Sequence, residues 1–182
     1  MNKKIKMTPW MQMHNGTVMD LCNPDYKDMT IEAVAHSLSN IVRFLGHTDI
    51  RLSIAEHSVN VARVLPNHLK MQGLLHDGHE CTFGDMPTPW KMVFGPMARE
   101  MERKHRTAFC ERFRTPIDLG PEVKEADLRM LFTEREQVMK NPPKSWGLDA
   151  EPYDHIKIIG YSPEIAKARF LAMYEKLRNQ NK

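Results

Sequence analysis

The stretch Leu74-Leu75-His76-Asp77-Gly78-His79-Glu80 passes from two leucines straight into ionisable residues with no turn signal between them. A helix advances about 100° per residue, which sets Glu80 between the directions of His76 and Asp77. Read as one helical turn, it brings an imidazole and two carboxylates to one side. A metal ion facing a core satisfies such a group; a solvated helix end is the alternative reading.

Working outward, apolar periodicity predicts helices on both sides. Upstream, Ile31, Val34, Ala35, Leu38, Ile41, Val42 and Leu45 recur at spacings of three and four. They predict a helix from about Asp28 to Leu45, capped by Asp28 or Thr30 and stopped by Gly46. Arg43 and Phe44 then fall in its last turn. Ser53-Ile54-Ala55-Glu56 reads as a capping box, and its helix carries Ile54, Ser58, Val61, Ala62 and Leu65 inward until Pro66 ends it. His57 lies on that stripe. The helix from about Asn67 leads through Leu74 and Leu75 into the opening motif, and Gly84-Asp85-Met86-Pro87-Thr88-Pro89 must leave it. Lys91 follows that loop.

Downstream, Gly95-Pro96 opens a helix to about Phe113, whose Arg99, Arg103, Lys104, Arg106 and Arg112 read as a solvated basic face. Pro121-Glu122 opens the next, with Val123, Ala126, Met130 and Leu131 on one stripe together with Asp127. A buried carboxylate there needs a cation or several hydrogen bonds, and an arginine is the simplest partner. Residues 141–161 read as loop, and a last helix runs from the Ser162-Pro163 cap to about Asn179. Asn15-Gly16 suggests a small hairpin near the start. The fold expected is all-α, five or more helices with at most that hairpin. His57, His76 with Asp77, and Asp127 bring ionisable groups inward from three helices, a coincidence that favours a metal.

Composition sets bounds. The 182 residues fit one domain, and 41% hydrophobic with 27% charged residues is ordinary for a soluble globular protein. A net charge of +3 is too mild to argue for a nucleic-acid polymer as partner, yet it allows a basic pocket for phosphates. Cys22, Cys81 and Cys110 are odd in number and lack metal-type spacing, which suggests a reducing cytoplasm. The basic start, residues 1–6, has no apolar run after it, and no apolar stretch is long enough to span a membrane.

The order His57, His76-Asp77, Asp127 resembles the HD-domain phosphohydrolase superfamily. The segments 37–47, 53–59, 74–80, 84–91 and 123–131 resemble its small bacterial and phage deoxynucleotide phosphohydrolases. These include 5′-deoxynucleotidases and the dATP triphosphohydrolases of phages that replace adenine with diaminopurine. The resemblance covers roughly residues 10–140. It implies a single HD-type helical domain over 1–182, with a core at about 28–140, an N-terminal cover at 1–27 and a C-terminal loop and helix at 141–182.

By position it implies that His57, His76, Asp77 and Asp127 hold a metal. Glu80 handles the proton of the water or leaving group. Arg43 contacts phosphate, Phe44 borders the sugar in place of a more usual Trp, and Asp85, Met86, Pro87, Thr88 and Lys91 contact the nucleotide. His79 departs from the family pattern, as either an altered metal arrangement or a surface histidine. Two imidazoles with two carboxylates suit Mn, Co, Zn or Fe(II), with Mg²⁺ accompanying a triphosphate tail. The activity implied is cleavage of the 5′-phosphoester of 2′-deoxynucleotides by a cytoplasmic homo-oligomer. The alternatives are a phosphodiesterase of a cyclic or signalling nucleotide and a non-catalytic metal- or nucleotide-binding regulator.

Overall fold

The computed structural model describes residues 8–180; the basic start at residues 1–6 lies outside the described residues. The expected hairpin forms from β1 (Trp10–Gln12) and β2 (Val18–Asp20), paired antiparallel with Met11 opposite Met19. Asn15 and Gly16 make its turn. Gly16 takes φ +82°, and the Asn15 side-chain oxygen accepts from the Thr17 N–H and hydroxyl.

α1 (Ile31–Asn40) starts on Thr30, whose hydroxyl accepts from the Ala33 N–H at 3.2 Å. It stops five residues before the expected end at Leu45. Ile41 and Val42 turn extended, as β-branched residues favour, and Val42 bridges antiparallel to Ser53. Arg43 N–H donates to Leu52 O and Ile54 N–H to Ile41 O, so pairing with the approach to the next helix replaces the last helical turn. Arg43 and Phe44 belong instead to a separate 3₁₀ turn, Arg43–Gly46.

α2 (Ile54–Val64) is buried at every position from Ile54 to Ala62. Ser53 caps it by accepting from Glu56 N–H at 3.2 Å, but the other half of the capping box does not form. The buried Glu56 carboxylate instead accepts from the N–H groups of Ile159, Gly160 and Tyr161, anchoring the loop after 141 to the core. A 3₁₀ turn leads into α3 (Lys70–Leu75), and α4 (Glu80–Phe83), α5 (Thr88–Phe94), α6 (Pro96–Phe113), α7 (Pro121–Val138) and α8 (Pro163–Gln180) follow. The sequence reading missed α5, whose Pro87-Thr88-Pro89 opening is compatible with a helix start because prolines fit its first turn.

The motif at 74–80 is not one continuous helix. Gly78 N–H donates to Leu75 O and Glu80 N–H to Asp77 O, three residues back, so a tight turn separates α3 from α4. Gly78 is needed there because the Phe109 ring of α6 packs onto it, in the space a Cβ would occupy. Gly78→Ala is expected to destabilise the fold by about 1–3 kcal/mol or more. Thermal unfolding checks this as a fall of roughly 2–10 °C in Tm.

Two apolar clusters flank α2. The larger joins the hairpin, α1, α3 and α8 with Phe109, and the smaller joins Val61 and Leu65 to Val123, Ala126, Met130, Ile156 and Ile158. Among the described residues the architecture is all-α with one two-stranded hairpin. No described helix is long and apolar enough to cross a membrane, and the three cysteines are unbonded.

Candidate metal centre

His57 of α2, His76 at the end of α3 and Asp127 of α7 place one donor atom each within 4.8 Å of one another. The two Nε2 atoms are 3.3 Å apart. Asp127 Oδ1 stands 3.0 Å from His57 Nε2 and 3.6 Å from His76 Nε2. Asp77 approaches from the other side, with Oδ2 3.0 Å from His76 Nε2 and 3.7 Å from His57 Nε2. The four residues expected to converge do so, with Asp77 at the edge of the tighter group of three. Asp127 pairs with the two histidines, and not with the arginine that was its simpler alternative.

Hydrogen bonds at the far ring nitrogens orient both imidazoles. His57 Nδ1 donates to Glu134 Oε1 at 2.7 Å, and His76 Nδ1 donates to the Gly73 carbonyl at 2.7 Å. With Nδ1 carrying the proton, each Nε2 turns a lone pair toward the other and toward two carboxylates. Such a set attracts a cation. Burial opposes a charge on His76, but Asp77 and Asp127 outweigh it and hold its proton well above the ordinary imidazole range. A metal ion serves the same carboxylates in place of that proton. Spacing is close to that of a ligand set: ligands about 2.1 Å from one ion lie roughly 3.0–3.4 Å apart for right-angle to tetrahedral arrangements, and the separations here run from 3.0 to 3.7 Å. The residues present fit a divalent transition metal.

Around this group the remaining expected residues divide. Glu80 is buried, and its Oε2 has no hydrogen-bond partner. Burial, then the charges of Asp77 and Asp85, raise its proton affinity well above the carboxylate norm, with Arg43 and Lys91 in partial opposition. Asp85 is also raised, by burial first. Arg43 is buried, with Nε donating to Glu134 Oε2 at 2.9 Å and Nη1 3.9 Å from Asp77 Oδ2. Phe44 and Leu45 follow it at φ +55° and +53°. Two bulky residues in the left-handed region cost roughly 1–2 kcal/mol each, a strain that turns Arg43 inward and Leu45 outward. Phe44 lies tilted against Trp146, with ring centroids 6.3 Å apart.

Asp85, Met86 and Pro87 line an open groove of about 310 Å³ with Leu45, Phe83, Trp90 and Phe94. Thr88 is exposed and is not among the groove's lining residues. Lys91 is already engaged, its Nζ donating to Glu102 Oε1 at 2.6 Å. His79 is not a surface histidine: it is 1% exposed, 3.7 Å from Glu102, with neither ring nitrogen hydrogen-bonded. It is not part of the His57–His76–Asp127 group.

Glu134 is the residue that the sequence reading missed. Its signal was present, because it lies seven residues after Asp127, two helical turns on along the same stripe of α7.

No family model matches the chain. It is 32% identical over 165 residues to the uncharacterized protein YfdR of Escherichia coli, an alignment covering 90% of this chain and 91% of that protein. It is 36% identical over 126 residues to the uncharacterized protein RCAP_rcc00048 of Rhodobacter capsulatus, covering 64% of each chain. Identity at that level along nine-tenths of both chains shows that this protein belongs to the family of YfdR.

Proposed function

We propose that this chain is an HD-type, metal-dependent phosphohydrolase that cleaves the 5′-phosphoester of 2′-deoxynucleotides in the cytoplasmic nucleotide pool. One observation carries the reading: His57, His76, Asp77 and Asp127 converge beside the Arg43 guanidinium. A metal-ligating set next to a buried arginine is the arrangement that phosphate hydrolysis needs. When bound, the ion polarises the phosphate and activates a water. Arg43, with Nε held by Glu134, offers its Nη groups to the phosphate oxygens. Glu80, held protonated by burial, gives its proton to the leaving 5′-oxygen as the bond to phosphorus breaks and the oxygen of water bonds in its place; the proton that the water sheds restores Glu80. The groove lined by Trp90, Phe94 and Met86 beside Asp85 suits an apolar base face.

Several exposed apolar side chains of α5, among them Trp90, Met92, Val93 and Phe94, support the homo-oligomer expected by resemblance. His79, turned toward Glu102, gives no support to a dimetal phosphodiesterase.

The test is chromatography of products from deoxy- and ribonucleoside mono- and triphosphates. Chelator-stripped protein is resupplied separately with Mn²⁺, Co²⁺, Zn²⁺ and Mg²⁺. Deoxynucleoside plus phosphate, or deoxynucleoside plus triphosphate, is the expected product with a transition metal. Cleavage of cyclic nucleotides alone transfers the site to the phosphodiesterase reading. Absence of turnover with every metal removes the enzymatic one.

A further inference from the structure

The Glu134 carboxylate is 0% exposed and spends its two oxygens on two different parts of the site. Oε1 accepts from His57 Nδ1 at 2.7 Å, and Oε2 accepts from Arg43 Nε at 2.9 Å. One neighbour carries the Nε2 that faces the metal-ligating group, and the other is the guanidinium beside Asp77. We propose that Glu134 is a positioning residue that sets the His57 tautomer for metal binding and aims Arg43 at the phosphate, coupling the two subsites. The part concerning phosphate rests on the phosphohydrolase reading; the part concerning His57 needs only that the site binds a metal.

The chemistry is specific to a carboxylate. Both neighbours are donors at the contacting atom, so the bridging residue must accept on both sides and donate on neither. A protonated acid or an amide has one good acceptor for two donors. With an acceptor at Nδ1, His57 keeps its proton there and leaves Nε2 bare for a metal; with a donor there, the proton moves to Nε2 and blocks the ligand atom. The second bond has a directional role. Arg43 is buried, and its guanidinium is set by two carboxylates, with Nε on Glu134 at 2.9 Å and Nη1 3.9 Å from Asp77. α7 supplies both Asp127 and this carboxylate from one face, which ties the metal ligand and its orienting partner to one rigid element.

Glu134→Gln keeps the volume and removes one acceptor. Metal titration of the stripped variant with Mn²⁺ should show affinity about 10- to 100-fold weaker than wild type, and the visible spectrum of the Co²⁺ form should change. Inorganic phosphate should bind the metal-saturated variant more weakly than it binds the metal-saturated wild type. A purely structural role moves the melting temperature and none of these readouts. Should the Gln variant not fold, ¹⁵N resonances of the Zn²⁺-loaded wild type decide: a proton on His57 Nδ1 is expected, and its absence overturns the proposal.

Mn²⁺ affinity, Co²⁺ spectrum and phosphate binding all unchanged in Glu134→Gln also overturn it, leaving the hydrolase reading intact. Wild type that binds metal and hydrolyses nothing overturns the hydrolase reading, while the affinity and spectrum still decide the hold on His57. Wild type that binds no metal overturns both.

Discussion

Asp77→Ala is expected to lower nucleotide turnover on the order of 10³-fold or more and to weaken metal binding in the same protein. The magnitude follows from what a bound ion contributes to a phosphoryl transition state, about 4 kcal/mol or more at roughly 1.4 kcal/mol per decade of rate. The Asp77 carboxylate is 3.0 Å from His76 Nε2, 3.7 Å from His57 Nε2 and 3.9 Å from Arg43 Nη1, so its removal takes one ligand from the two-histidine group and a counter-charge from Arg43 together. Burial works against its charge, yet His76 beside it holds its carboxyl below the ordinary range, the behaviour of a carboxylate already serving cations. Metal content after dialysis, measured alongside turnover at saturating metal, checks the expectation. A variant that stays metal-loaded and active would show that His57, His76 and Asp127 suffice and that Asp77 only balances Arg43.

Glu80→Gln is expected to cut kcat by about 10²- to 10⁴-fold, the range for losing a positioned proton donor, with metal affinity kept. Glu80 binds none of the expected ligand atoms at hydrogen-bond distance, and its Oε2 is buried without a partner. Burial first, then Asp77 and Asp85, keep it protonated well above the usual 4.5. A donor of this kind loses activity as pH rises through its raised value, so the wild-type rate should fall on the alkaline side, and that limb should vanish in Glu80→Gln. Stability carries the same sign. A carboxyl whose folded pKa is raised stabilises the fold below its unfolded value and loses that contribution as pH climbs toward the folded one. In the metal-free protein the melting temperature of Glu80→Gln should therefore gain on wild type from about pH 4.5 upward. A wild-type rate that rises monotonically with pH, or a gap in Tm that does not change with pH, would remove Glu80 from the acid role.

Both experiments separate chemistry from folding, which matters because the site is built on the most buried helix described. α2 is shared by both apolar clusters, and its polar residues survive there through named partners: Glu56 on three backbone N–H groups, His57 on Glu134. Such groups cannot be truncated without leaving a neighbour unsatisfied. Isosteric amides are therefore the informative substitutions at Glu80 and Glu134.

Much of the fold was legible because helix signals are local. The Ser53 cap, the Pro121 start and the Ser162-Pro163 start are read within one turn of chain, and the structure places helices at each. The errors came where distant chain competes with local preference. Ile41 and Val42 fit the helical period, but pairing with the strand-like approach to α2 pulled them extended. The Glu56 carboxylate fits a capping box, but three N–H groups about a hundred residues away claimed it. The turn at 76–79 looked helical because its i→i−3 bonds keep nearly the same facing as a helix.

By itself the sequence determined the helix periods, the caps and the hairpin turn, because each depends on residue type at short spacing; the four clustered side chains it named by their place on three inward stripes and by an order that resembles the HD-domain superfamily. Only the tertiary structure decided which atoms meet. It turned both imidazoles so that Nε2 faces Asp77 and Asp127, drew Arg43 out of a helix end into a strained turn, and committed Lys91 to Glu102. It also brought Glu134 under His57 and Arg43, a contact 77 and 91 residues away along the chain. Orientation of this kind depends on how packed helices rotate against one another, and no local pattern of residue types encodes that rotation.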